Sequence, residues 1–134
     1  MQVVASTRVR YAETDAMGIA YHSNYLVWFE VARTELFRAI GLPYTKFESD
    51  GLALAVVEAN IRYKAPVKYD DLLDLQAEVE EINNRKVIFR YAIRKQNTIV
   101  CEGSTVHLFI NREGRSTNAS SYPVWSEVRQ IFGL

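Results

Sequence analysis

The chain has little of what builds disulfide scaffolds or metal centres: one cysteine, Cys101, and two histidines, His22 and His107, in 134 residues. A lone cysteine forms no internal disulfide and suits a reducing compartment. The two histidines show no ligand spacing, so no metal is expected. An excess of charge of one sign is also missing, since 16 basic residues balance 16 acidic ones. That excludes an overall field for nucleic acid or an anionic membrane, while leaving local basic clusters able to meet a small anion. No stretch approaches the roughly 20 apolar residues that cross a bilayer. The N-terminus, where Arg8 and Arg10 follow a short mixed segment, lacks the apolar core of a signal peptide. These absences lead to the expectation of a cytoplasmic protein, and a length of 134 residues to that of one domain over 1–134.

What is present is an ordinary core-forming composition, 49% apolar, without repeats, low-complexity tracts or linkers. Residues 2–11 alternate loosely through Val3, Val4, Thr7 and Val9 and predict a first strand. Residues 12–23 read as a loop. From Asn24 the period changes, with Tyr25, Trp28, Phe29, Ala32, Leu36, Ala39 and Ile40 at helical spacing up to a stop at Gly41 and Pro43. The first two turns are apolar nearly all round apart from Glu30, so this helix is buried on more than one side. Glu30 and Arg33 are spaced for a helix ion pair.

A short polar segment, 45–50, precedes four strand-like runs at 53–63, 72–82, 86–95 and 98–111. The first places Ala53, Ala55, Val57, Ala59, Ile61 and Tyr63 on one face. Leu73, Leu75, Ala77 and Val79 face inward in the second, and Val87, Phe89, Tyr91 and Ile93 in the third. Asn83-Asn84 and Gln96-Asn97 supply turns. Cys101 reads as core, too far along its strand from His107 to form a dyad. Pro123 is expected to open a short terminal helix. Successive hairpins favour antiparallel pairing, and a helix buried on several sides requires a curved sheet, or a partner subunit, to cover it.

The least ordinary stretch is YAETDAMGIAYHSNY, 11–25. A helix starting near Ser23 or Asn24 directs its first N–H groups into the loop before it, where they and the helix dipole stabilise a developing oxyanion. Gly18 permits a tight turn or a close approach of a ligand. Asp15 on the same loop has the chemistry of a nucleophile or general base. Spacing alone also allows a plain turn residue at Asp15, caps at Ser23 and Asn24, packing at Tyr21 and Tyr25, and a hydrogen-bonding wall at His22.

The stretch RYAETDAMGIAYHSNYLVWFEVARTELFRAIG closely resembles the opening of hotdog-fold acyl-CoA thioesterases of the 4-hydroxybenzoyl-CoA thioesterase type, including bacterial members associated with the Tol–Pal gene cluster. The likeness runs through Asp15, Gly18, Tyr21, His22, Asn24, Tyr25, Glu30 and Arg33. It continues in IRYKAPVKYDDLL, 61–73, at Arg62, Pro66, Asp70 and Asp71.

The resemblance implies an α+β hotdog fold, a five-stranded antiparallel sheet wrapped around one long central helix, with a short C-terminal helix in addition. It implies a homodimer or homotetramer with active sites at the interface, and acyl-CoA as substrate, or an acyl thioester on acyl carrier protein. The catalytic set is then Asp15, His22 and Tyr21, with the His22 backbone N–H polarising the carbonyl and the imidazole protonating the thiolate. Substrate contacts are Gly18, Asn24, Tyr25 and Arg62, with Arg85 and Lys86 on CoA phosphates; Lys64 and Lys68 join Arg62 in a second basic cluster. Neither a metal nor a redox cofactor is expected. Two other readings stay open: a hotdog hydratase or dehydratase, and a non-catalytic acyl-CoA or acyl-carrier binding protein. Ala53, Val57 and the long helix are expected to line the acyl pocket, with Gly51 on a nearby loop; chain length or aromatic preference is left open.

Overall fold

The computed structural model describes residues 1–134. Five strands form: β1 (Val3–Arg8), β2 (Ala53–Tyr63), β3 (Leu72–Ile82), β4 (Lys86–Lys95) and β5 (Thr98–Ile110). They make one antiparallel sheet in the order β1-β3-β4-β5-β2. The long helix α1 (Asn24–Ala39) packs against β1, β3 and β4. The α+β hotdog arrangement is therefore present, with α1 in the hollow of the sheet.

Alternation settles the central strands as expected. Leu73, Leu75 and Ala77 are buried on β3, and Val87, Phe89, Tyr91 and Ile93 on β4. Cys101, Thr105, His107 and Phe109 are buried on β5. Tyr91, Thr105 and His107 form a buried polar chain, Tyr91 Oη to Thr105 Oγ1 and Thr105 Oγ1 to His107 Nε2 at 2.8 Å.

The single inward face expected for 53–63 does not hold, because a bulge interrupts the β2–β5 register between Val56 and Glu58. An extra residue reverses the alternation. Leu54 packs on the core before the bulge and Ile61 after it, while Val56 and Val57 are both about half exposed. β2 is a sheet edge, so its outer N–H and C=O groups have no strand beside them.

On α1 the buried side chains are Tyr25, Trp28, Phe29, Ala32 and Phe37. Phe37, not Ala39, takes the last core position. Phe29 stacks on Tyr91, centroids 4.2 Å apart and planes 6° from parallel. Gly103, opposite Tyr91 in the register, makes this possible: a Cβ there would lie 2.6 Å from Phe29 Cε2 and 2.5 Å from the Asn60 oxygen. Burying a Phe side chain contributes roughly 1.5–3 kcal/mol. The helix ends in a Schellman turn, with Gly41 at φ +88°, its N–H donating to Arg38 O and that of Leu42 to Phe37 O.

Three local expectations need correction. The polar segment at 45–50 is a short helix, α2 (Tyr44–Ser49), because Phe47 inserts into the core. Residues 2–11 are not strand throughout; Tyr11–Glu13 form a 3-10 turn that leads chain away from the sheet. The terminal helix, α3 (Trp125–Phe132), starts two residues beyond Pro123, where Asp50 Oδ2 accepts the Val124 N–H at 2.7 Å. No helix is long and apolar enough to cross a membrane.

Candidate active site

The loop before α1 is a small hairpin laid on the 64–71 segment. Thr14 bridges Ala20, Ile19 bridges Lys68, and the Ala20 N–H donates to Val67 O at 2.8 Å. Its tip closes when the Gly18 N–H donates to Asp15 O at 2.9 Å, with Gly18 at φ +80°. A Cβ at Gly18 would meet nothing else of the protein within 4 Å, so within the fold the glycine serves the backbone conformation. The Asp15 side chain does accept a local N–H, Met17 to Oδ1 at 2.9 Å, which is the turn role that spacing alone suggested. Its second oxygen accepts nothing from the protein.

Glu13 anchors this hairpin and was missed in the sequence. It is 5% exposed, and its carboxylate accepts the Arg10 N–H at 2.8 Å and Trp28 Nε1 at 3.2 Å. Its carbonyl accepts the Tyr21 N–H at 2.7 Å and Asn24 Nδ2 at 2.7 Å. Nothing in local periodicity points to Glu13, because its partner Trp28 lies on a different element.

The start of α1 departs from simple capping. Ser23 has helical backbone angles and no side-chain cap bond, and Asn24 reaches backward to Glu13 O and Tyr21 O. Tight i to i+3 bonds tie Asn24, Tyr25 and Leu26 to Tyr21, His22 and Ser23. The N–H groups of His22 and Ser23 are left without an acceptor in the protein.

Asp15, His22 and Tyr25 come together around one cleft of about 430 Å³, with Met17 and Ile19 on the hairpin and the Tyr63–Pro66 segment opposite. Tyr63, also missed in the sequence, closes the cleft by donating Oη to His22 O at 3.0 Å. Tyr25 is 3% exposed, and its hydroxyl has no hydrogen-bond partner in the protein while not being sealed from open space. Burial, with Cys101 and Tyr63 nearby, pushes its hydroxyl up to about 12, so it is a protonated donor at neutral pH. Tyr21 is exposed and its ring lies 4.3 Å from that of His22.

The remaining predicted residues lie elsewhere in the protomer. Asn24 is occupied by the loop. Arg62 faces a separate hollow on the outer surface of the sheet, with Arg90 and Arg94. Lys64 is the exception: it borders the cleft, where it pairs with Glu102 at 3.2 Å. Arg85 and Lys86 stand at the β3–β4 turn, at the Ala53–Ile110 end of the sheet, opposite the Tyr63–Cys101 end that borders the cleft. Ala53 and Val57 are on β2 outside the cleft. The expected Glu30–Arg33 ion pair is absent; both residues border another cavity, of about 240 Å³, with Thr34, Phe37 and Leu54. The Arg33 charge acts to lower the pKa of both Tyr91 and His107.

The chain matches the model of the thioesterase-like superfamily over residues 9–131. The acyl-CoA thioesterase YbgC of Haemophilus influenzae is 38% identical over 100 residues, covering 74% of this chain and 73% of that protein. The acyl-CoA thioester hydrolase YbgC of Escherichia coli O157:H7 is 27% identical over 124 residues, 92% of each chain. The crystal structure of a DHNA-CoA thioesterase from Staphylococcus aureus superposes with a TM-score of 0.89 at 30% identity, covering 96% of this chain and 89% of that one. With the wrapped helix and the matching loop already in place, the protein belongs to the thioesterase-like superfamily and is a hotdog-fold thioester hydrolase.

Proposed function

We propose that the protein hydrolyses acyl-CoA thioesters to a carboxylic acid and free CoA, with Asp15 as the catalytic carboxylate. One observation carries the reading: a carboxylate with a free oxygen and an unpaired backbone N–H at a helix start border the same cleft. A thioester carbonyl placed between them meets a base or nucleophile on its carbon and a donor on its oxygen. Asp15 either attacks the carbonyl, giving an anhydride that water then cleaves, or takes a proton from the water that attacks. In both routes the carbonyl oxygen becomes an oxyanion held by the His22 N–H. The C–S bond then breaks, and the thiolate leaves with a proton supplied by the His22 imidazole, which Tyr21 supports by ring contact. The Tyr25 hydroxyl is placed to orient the acyl group. A thioester is activated enough that these groups suffice without a metal or redox cofactor.

The active unit is a homo-oligomer in this reading. β2 is an open edge with Val56, Val57 and Tyr63 exposed, and α1 also exposes apolar side chains, Leu26, Val27 and Val31. Two copies joined antiparallel through β2 would cover both patches. Such pairing sets the Ala53 end of one edge beside the Tyr63 end of the other. The turn carrying Arg85 and Lys86 would then approach the cleft from the partner subunit, where CoA phosphates need cations; Arg62 is a further candidate. A cytoplasmic location and acceptance of acyl carrier protein thioesters belong to the same proposal.

A panel of short, long and aromatic acyl-CoAs, with acyl carrier protein thioesters beside them, tests the reading by release of free thiol. Light scattering gives the assembly. Turnover by a dimer or tetramer is the expected result; a monomer that binds acyl-CoA without hydrolysing it would contradict it.

A further inference from the structure

His22 lines the cleft, and the peptide units on either side of it have their oxygens held and their N–H groups free. In the Tyr21–His22 unit the oxygen accepts the Asn24 N–H and Asn24 Nδ2, each at 3.1 Å. In the His22–Ser23 unit the oxygen accepts Tyr63 Oη at 3.0 Å and, more distantly, the Tyr25 N–H at 3.4 Å. Neither the His22 nor the Ser23 N–H has an acceptor. All peptide bonds here are trans. A trans unit is planar with C=O and N–H on opposite edges, so a grip on the oxygen fixes the direction of the N–H. Donation to that oxygen also polarises the amide and strengthens the bond its N–H gives.

We propose that Tyr63 is a positioning residue of this site: from the end of β2 it holds the His22–Ser23 peptide so that the Ser23 N–H stands as a second oxyanion donor beside that of His22. The inference rests on the thioesterase reading of the cleft.

The geometry around Tyr63 suits this task. Its ring packs edge-on against Tyr25, centroids 5.0 Å apart at 83°, which restricts where the hydroxyl points. Burial and the nearby Cys101 raise its pKa, so the hydroxyl stays protonated and donating. Tyr25 supplies an independent sign that a ligand belongs here, because this nearly buried residue borders the cleft with a hydroxyl that lacks any protein partner. An edge-strand tyrosine needs no bond to a helix-start carbonyl for the fold, since that carbonyl already meets the Tyr25 N–H.

Tyr63→Phe keeps the ring and removes the grip. Losing a whole oxyanion donor costs about 100- to 1000-fold in kcat, so loosening one is expected to lower kcat about 10- to 100-fold while KM stays within about twofold. Melting temperature and assembly are expected to stay those of wild type. A spectroscopic readout separates positioning from support of the fold. With a carbonyl-13C acyl-CoA bound to Asp15→Asn protein, the C=O stretch shifts to lower frequency, and adding Tyr63→Phe shrinks that shift. A merely structural role would lower the melting temperature and leave the stretch unmoved. Difluorotyrosine at position 63, a stronger donor of the same shape, is the second variant and is expected to enlarge the shift.

Unchanged kcat in Tyr63→Phe, with Asp15→Asn inactive, overturns this inference and leaves the thioesterase reading standing. Wild-type protein that turns over no acyl thioester overturns the reading and the inference together.

Discussion

Glu13 and Trp28 are joined by a buried bond, the indole Nε1 donating to carboxylate Oε2 at 3.2 Å. Through it the hairpin that carries Asp15 is fastened to the inner side of α1, whose first turn supplies the free N–H groups. The carboxylate is thus a structural fixture two residues from the one assigned to chemistry. The two differ in surroundings, since Glu13 is enclosed and spent on donors while Asp15 keeps an oxygen open to the cleft.

Glu13→Ala leaves the Arg10 and Trp28 N–H groups without their acceptor. Orphaning a buried donor costs about 1–3 kcal/mol; Trp28 Nε1 is buried and the Arg10 N–H only partly so, and a loss of about 2–3 kcal/mol is expected by denaturant unfolding. Activity is expected to fall with it, because Asp15 and the helix start lose their common anchor. Stability equal to wild type would show that the bond carries nothing.

Gly103→Ala tests how closely α1 sits on the sheet. The added methyl meets the Phe29 ring and the Asn60 oxygen, and overpacking of this kind costs about 1–3 kcal/mol. Combining it with Phe29→Leu is expected to recover only the part due to the ring, since the Asn60 oxygen is backbone. Full recovery, or no loss at all, would mean that the contact is looser than the structure places it.

His107 gives the fold a pH dependence. Burial, aided by the Arg33 charge, pushes its pKa down from 6.5 to about 4, although the Leu54 backbone opposes the shift. That opposition is weak, as Nδ1 finds no partner of good geometry. Between these values the unfolded chain binds more protons than the folded one, so stability falls as pH drops through 6.5 towards 4. The full effect is about 3 kcal/mol. His107→Gln is expected to flatten unfolding free energy over that window; an equally steep curve would assign the dependence elsewhere.

The strands of the sheet interior were legible because each is half buried and writes that in an alternating pattern, as Val87, Phe89, Tyr91 and Ile93 do. β2 misled because a bulge near Val57 adds one residue and nothing in side-chain chemistry marks it. α2 was hidden because six residues, Tyr44–Ser49, are too few to show a helical period around the one buried Phe47. At the site, Asp15, His22 and Tyr25 were readable as a cluster since they lie on one loop and the helix it enters. Glu13 and Tyr63 were not. Their roles depend on Trp28 and on the His22 carbonyl, which are brought to them only by the folded chain.

Asp15→Asn tests the central claim most directly, measured as thiol release from the preferred acyl-CoA with folding and assembly checked in parallel. The side chain keeps its size and still offers Oδ1 to the Met17 N–H, while the negative charge needed for attack or proton removal is gone. The expected result is a fall in kcat of at least about 100-fold in protein that is folded and assembled as wild type. Wild-type turnover in Asp15→Asn would contradict the account, and the carboxylate responsible would have to be sought outside this cleft.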